Sequence, residues 1–326
     1  MPSFIIDHLI SGGLITNYYC TSRCRHCLYH SSPFWPKDYI TDEQAVACFN
    51  LARSFGCRSM HIGGGEPFLQ PERLSAILRL AEEHQIHIEY VETNSSWYQS
   101  LEQACEILNN LRKNGLRTIL VSISPFHIEH IPFYKVKGVV QACRKVGLDI
   151  FPWSIDFWSE FSSLDDRKKY SLEELENIFG PGYIARIPNR YWLVYRGRAL
   201  KTFASYHIPK SLDNICFSEP CRELLDTSHF HLDLYGNYIP GLCAGLALRK
   251  EDLGSEITPD KYPILSRLLY GGVKSLLEWV SEGFGFHPRA TYISKCELCY
   301  HIRSFLVKDK ALEAYELQPK EYYFQE

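Results

Sequence analysis

The sequence predicts an α/β fold: a partial (β/α)6 TIM-like barrel over residues 1–205, then a small Cys-rich C-terminal domain over residues 206–326. Three observations carry that prediction. Apolar runs of strand length alternate with amphipathic runs of helix length, the signature of a parallel sheet covered by helices. About six such repeats are present, enough for an open or partial barrel and too few for a closed eight-fold one. After about residue 205 the alternation stops, and the tail becomes rich in Gly, Pro and Cys.

Taken in order, residues 14–19 form a short apolar strand that ends at the first cysteine group. Residues 42–55 have helical periodicity, with Thr41 as N-cap and Glu43 and Gln44 in the first turn. Residues 59–62 are a strand that stops at three glycines, and residues 71–84 a helix opened by Pro71. The alternation continues with a strand at 87–91, a helix at 101–113 ending at Gly115, and a strand at 118–123. It closes with a helix at 136–146, a strand at 148–153, a helix at 172–179 and a strand at 191–195. In the tail, residues 231–239 read as a β-hairpin turning at Gly236 and Asn237, and residues 304–315 as a final helix.

Composition bounds the function. The chain has 326 residues, 45% hydrophobic and 22% charged, with a net charge of −3, which argues against a nucleic-acid surface. Its N-terminus lacks the basic and apolar regions of a signal peptide, and no apolar stretch approaches the ~18 residues of a membrane span. A cytoplasmic location follows, and in that reducing setting twelve cysteines need an explanation other than disulfides. Cys48, Cys57, Cys105 and Cys143 lie singly and read as small buried hydrophobes. The remaining cysteines fall into two groups spaced like metal ligands.

The first group is Cys20, Cys24 and Cys27, spaced C-x3-C-x2-C after the first strand. Three thiolates on one tight loop can hold three irons of a 4Fe–4S cube and leave the fourth open to a small molecule. A zinc knuckle is the alternative. The second predicted strand then runs into Gly63-Gly64-Gly65-Glu66-Pro67. Glycines at a strand end let backbone approach a ligand closely, and Glu66 adds a carboxylate that can meet an amino group.

These motifs, in this order, resemble the radical S-adenosylmethionine (SAM) superfamily over roughly residues 12–205. Further likenesses are Glu92-Thr93-Asn94 at the end of the third strand, Ser122 on the fourth, and Tyr195-Arg-Gly-Arg-Ala199. Two places after Ser122, where the family often has an aspartate, this chain has Ser124. The resemblance implies a SAM-cleaving 4Fe–4S cluster on Cys20, Cys24 and Cys27. It implies SAM contacts from Gly64, Gly65, Glu66, Pro67, Asn94, Ser122 and Arg198. It also implies reductive cleavage of SAM to a 5′-deoxyadenosyl radical that abstracts hydrogen from substrate, and a one-electron donor such as flavodoxin or ferredoxin.

The second group is Cys216, Cys221, Cys243, Cys296 and Cys299. A hairpin delivers Cys243, and the C-x2-C pair heads a helix. The arrangement is similar to the SPASM or twitch domain of radical SAM enzymes. That resemblance implies an auxiliary 4Fe–4S cluster on Cys221, Cys243, Cys296 and Cys299, with Cys216 as spare or competing ligand; a closed structural zinc site is the alternative. Related enzymes act mostly on peptides, proteins or amino-acid-derived molecules. A peptide or protein substrate is therefore expected first, and a small molecule or cofactor precursor second. With the first strand near residue 12, no separate leader-peptide domain is expected ahead of the barrel. The stretches 126–134 and 153–167 follow the fourth and fifth strands and should flank the cleft, offering His127, His130, Asp156 and Glu160 to substrate.

Overall fold

Short apolar strands separated by capped amphipathic helices collapse into one sheet with helices over it. The computed structural model describes residues 1–325. Five strands run in chain order: β1 (Gly12–Ile15), β2 (Ser59–Gly63), β3 (His87–Thr93), β4 (Thr118–Ser122) and β5 (Asp149–Trp153). Each pairs in parallel with its predecessor. Helices α1 (Asp42–Ser54), α2 (Pro71–Glu83), α3 (Leu101–Lys113), the short α4 (Pro125–Ile128) and α5 (Phe133–Val146) make the crossovers. Local chemistry sets their ends. Thr41 and Gln44 close a capping box on α1, Pro71 starts α2, Ser100 caps α3, and Gly147 ends α5 in the left-handed region at φ 72°.

The predicted strand at 191–195 does not form. Those residues have no regular structure, and Tyr191, Trp192 and Val194 among them line the cavity at the strand ends. Instead, a sixth parallel strand joins the opposite edge. After β6 (Lys210–Ser211), β7 (Phe230–Asp233) pairs with β1 in the register Gly12↔Phe230 to Ile15↔Asp233. The antiparallel β8 (Asn237–Ile239) and β9 (Leu248–Arg249) follow, giving the order β5-β4-β3-β2-β1-β7-β8-β9. The predicted hairpin is therefore present, and its first strand extends the barrel sheet. β7 is buried on both faces, as a strand covered on both sides must be.

The tail holds more helix than expected. Residues Pro263–Phe284 form a 22-residue helix interrupted at Gly272, and the last helix runs Lys295–Lys308. The predicted 304–315 helix thus begins earlier, at the Ser294 cap, and stops short of its expected end. β10 (Thr291–Tyr292) pairs with β6. No helix among the described residues is long and apolar enough to cross a membrane.

The long helix is capped from a distance. The buried Glu316 carboxylate accepts from the Ile264 and Leu265 amides at 3.0 and 2.6 Å, and burial pushes its pKa up to about 8. The folded chain keeps a proton here that the unfolded chain loses above about pH 4.5, so this group's contribution to stability falls as pH rises to about 8 and is flat beyond. Glu316→Gln cannot titrate. Its urea midpoint is expected below wild type at pH 5, with the gap narrowing by pH 8; a pH-independent gap would refute the assignment.

Candidate active site

Parallel strands deliver their C-terminal ends to one face, and the site is built there. Cys20, Cys24 and Cys27, on the loop after β1, line a cavity of about 250 Å³ together with Gly63, Gly64 and Gly65 from the end of β2. The loop folds on itself through the Cys27 amide to the Cys24 carbonyl at 3.1 Å. The Asn94 side-chain amide approaches Cys20 Sγ at 3.3 Å. All three thiols are free. Burial pushes Cys20 up to about 12 and Cys24 well above the usual thiol range. These sulfurs therefore stay protonated until a metal displaces the protons, and metal loading should release acid.

Arg198 holds this loop from behind. Its Nε donates to the Cys24 carbonyl at 2.8 Å, its Nη2 to the Ser31 carbonyl at 2.6 Å, and its backbone N–H to the Cys27 carbonyl at 3.1 Å. The remaining Nη1 is buried without a partner, and the guanidinium charge favours thiolate at Cys20 and Cys24. A buried, unpartnered guanidinium nitrogen whose charge favours thiolate at Cys20 and Cys24 fits a loop that holds an anionic iron–sulfur group. Arg198, expected as a SAM contact, does not line the cavity; its observed contacts are to the cysteine loop.

The glycines that line the cavity also pack closely on the cysteine-bearing segment. At Gly64 (φ +132°) a Cβ would sit 2.4 Å from the Asn17 carbonyl oxygen, and at Gly65 2.0 Å from that of Tyr19. The close approach is thus to the chain's own backbone: the Gly65 and Glu66 amides donate to Asn17 and Tyr19 carbonyls at 2.7 and 3.1 Å. Glu66 is fully buried and turned away from the cavity. Its carboxylate accepts from the Phe68 amide, the Thr93 hydroxyl and the Asn94 amide at 3.3, 2.8 and 2.6 Å, tying the ends of β2 and β3 together. Pro67 starts the following turn and is buried behind the cavity too. Of the residues read as SAM contacts, Gly64, Gly65, Asn94 and Ser122 line the cavity; Glu66, Pro67 and Arg198 support it.

The carboxylate that faces the cavity is Glu92, which sequence reading treated only as a neighbour of Thr93 and Asn94. Desolvation pushes it up to about 7. Its place on β3 directly beside Gly63 was the available signal: a Cβ on Gly63 would meet Glu92 Oε2 at 2.7 Å.

Tyr90, Trp153, Tyr191 and Trp192 wall the cavity, and His127 enters it, held through Nδ1 by the Ser124 hydroxyl at 2.7 Å. His130, Asp156 and Glu160 do not line it. Glu160 is engaged by Arg190 at 2.6 Å and the Tyr183 hydroxyl at 2.9 Å, so it is a structural anchor. Asp156 is exposed. Among the described lining residues there is no Lys or Arg.

In the tail, Cys221, Cys243, Cys296 and Cys299 line a second cavity with Arg196, Lys295 and Arg303. Cys216 lies outside it at the end of the helix Leu212–Cys216, where its charged neighbours are Asp213, Lys274 and Glu278. Burial raises Cys221, Cys243 and Cys299, Cys243 to about 12. Arg196 donates to the Gly241 carbonyl at 2.6 Å, and Arg303 to the Ala244 carbonyl at 3.1 Å. Arg196 and Arg198 therefore reach opposite cysteine sets from either side of Gly197.

The family described as "Radical SAM superfamily" matches residues 14–178, half of the 326-residue chain. A GTP 3′,8-cyclase of Ectopseudomonas mendocina (strain ymp) is 27% identical over 138 residues, 40% of this chain and 40% of that protein. The chain thus spans about two-fifths of the length of this curated relative. Solved structures include native anSMEcpe with bound AdoMet, 13% identical, covering 92% of this chain and 98% of that one at a TM-score of 0.46. Another is Streptococcus suis SuiB bound to S-adenosylmethionine, 16% identical, covering 83% of this chain and 69% of that one at a TM-score of 0.36. SuiB bound to the precursor peptide SuiA is 13% identical, covering 97% and 76% at a TM-score of 0.35.

Proposed function

This chain belongs to the radical SAM superfamily, and from that premise we propose that it is a two-cluster enzyme that abstracts hydrogen from a peptide or protein substrate. The observation that carries the reading is the meeting of Cys20, Cys24 and Cys27 with Gly63–Gly65 in one aromatic-walled cavity. When bound, a 4Fe–4S cluster on these cysteines supplies one electron to SAM, with a 5′-deoxyadenosyl radical as the oxidant of substrate. The chain's own residues bind, orient and enclose. Asn94 and Ser122 offer polar groups to SAM, Glu92 a carboxyl to its amino group, and the aromatic walls keep water from the reacting carbon.

Cys221, Cys243, Cys296 and Cys299 are proposed to hold an auxiliary cluster in a SPASM/twitch-like tail, over residues 206–326, that supports electron transfer. Flavodoxin or ferredoxin is the proposed electron source.

A second reading, a small-molecule enzyme, draws on the likeness to the GTP 3′,8-cyclase. The cavity disfavours a triphosphate: Glu92 faces it, and no lining Lys or Arg would pair with phosphate oxygens. Exposed Trp192, which lines it, and Phe151, which packs on lining Tyr90 and Trp153, suit an apolar peptide side chain better. Peptide and GTP turnover, followed by mass spectrometry with 5′-deoxyadenosine release, separate the readings; turnover of GTP alone would reverse the preference.

Glu92→Gln tests the cavity itself. Losing a charged hydrogen bond to an amino group costs about 1.5–3 kcal/mol, so SAM affinity should fall about tenfold or more while iron content stays at wild type. Unchanged affinity would remove Glu92 from the SAM site.

A further inference from the structure

Three histidines outside the cysteine sets converge in the barrel. The parallel register sets Gly13 of β1 opposite His61 of β2 on one side and His231 of β7 on the other. Gly13 lies between the two rings: a Cβ there would fall 2.4 Å from His61 Nε2 and 2.6 Å from His231 Cδ2. Only glycine at this position lets the two imidazoles lean over β1 and meet, with their Nε2 atoms 3.2 Å apart. His229, two residues before His231, falls on the same face by strand alternation.

One ring nitrogen from each of His61, His229 and His231 lies within 4.8 Å of the others. Ring centroids are 5.5, 5.1 and 5.2 Å apart, close to an equilateral triangle. Three imidazoles on a tetrahedral ion with M–N near 2.0–2.1 Å place nitrogens about 3.3 Å and ring centroids about 5.2 Å apart, so the rings already have the spacing of a ligand set. The cluster also has the surroundings of one. Tyr90 stacks on the His61 ring at 5.1 Å, and the buried Nδ1 of His231 has no partner. Burial lowers all three histidines below their usual range, leaving them in the neutral form that binds metal.

We propose that His61, His229 and His231 form a three-imidazole site for a divalent transition metal of the zinc class, with its open coordination position facing the substrate cavity. Imidazole suits zinc and its neighbours. His229 and His231 line the same cavity as Cys20, Cys24 and Cys27, so water or a substrate oxygen or sulfur completes the shell. A substrate carrying such a donor would be anchored on the metal, in the cavity that the cysteine loop also lines.

The test is zinc binding to the reconstituted holoenzyme after chelator treatment, read by competitive titration and zinc-edge X-ray absorption, which the cluster irons do not disturb. One zinc per chain is expected, with nitrogen or oxygen scatterers near 2.0–2.1 Å and none from sulfur near 2.3 Å. His229→Ala, at a partly buried position, and His231→Ala should each weaken binding by about 100-fold or more, with iron content unchanged. A sulfur shell in the wild type, no zinc bound at micromolar concentration, or His229→Ala affinity within about twofold of wild type would overturn the proposal. None of these readouts uses SAM cleavage, so the site stands or falls separately from the proposed reaction.

Discussion

Cys20→Ala, Cys24→Ala and Cys27→Ala combined are expected to remove about half of the iron and all 5′-deoxyadenosine formation under dithionite. The wild type, reconstituted anaerobically, should carry about eight irons, four per cubane cluster. The expectation rests on the separation of the two cysteine sets, which line different cavities. Removing the first leaves Cys221, Cys243, Cys296 and Cys299 untouched. Alanine at buried Cys20 and Cys24 leaves only small voids, so folding should survive and the iron that remains can be counted. Proton release on metal loading gives an independent readout. Cys20, with its thiol pushed up to about 12, and the still protonated Cys24 must each give up a proton to bind iron. The triple variant should release correspondingly fewer protons. Residual SAM cleavage in that variant would refute the assignment of the first set.

The parts legible in the sequence were those governed by local chemistry. The C-x3-C-x2-C loop, the glycines after β2 and the cap at Thr41 act through residues close in the chain, and the structure has each where it was expected. What sequence reading missed depends on pairing over long separations. β7 joins β1 from more than two hundred residues away, so a strand that read as half of an isolated hairpin completes the barrel sheet. The helix Pro263–Phe284 was masked by Gly271 and Gly272, which punctuate a sequence like a loop although the helical pattern resumes beyond them. The partners of Glu66 were hidden for a related reason. A carboxylate after a glycine turn looks available to a ligand until Thr93 and Asn94, on another strand, are seen to consume it.

Gly197→Val is expected to cost iron at both sites, although no atom of Gly197 is a ligand. Gly197 holds a φ of +56°, where a β-branched residue is strained, and a Cβ there would lie 2.5 Å from the Cys27 carbonyl and 2.7 Å from that of Leu28. The left-handed conformation alone costs about 1–2 kcal/mol, and the collisions are with backbone, which cannot rotate aside. Relief requires the 196–198 segment to move away from the cysteine loop. That movement would withdraw Arg198 from the Cys24 and Ser31 carbonyls and Arg196 from Gly241 and Glu223 together. Reconstituted iron should fall well below half of wild type, with a lower melting temperature. Arg198→Met should affect only the cluster of the first set, and Arg196→Met only that of the tail, which paramagnetic resonance of the reduced protein can distinguish. Wild-type iron in Gly197→Val, or loss confined to one cluster, would show that this tripeptide does not couple the two sites.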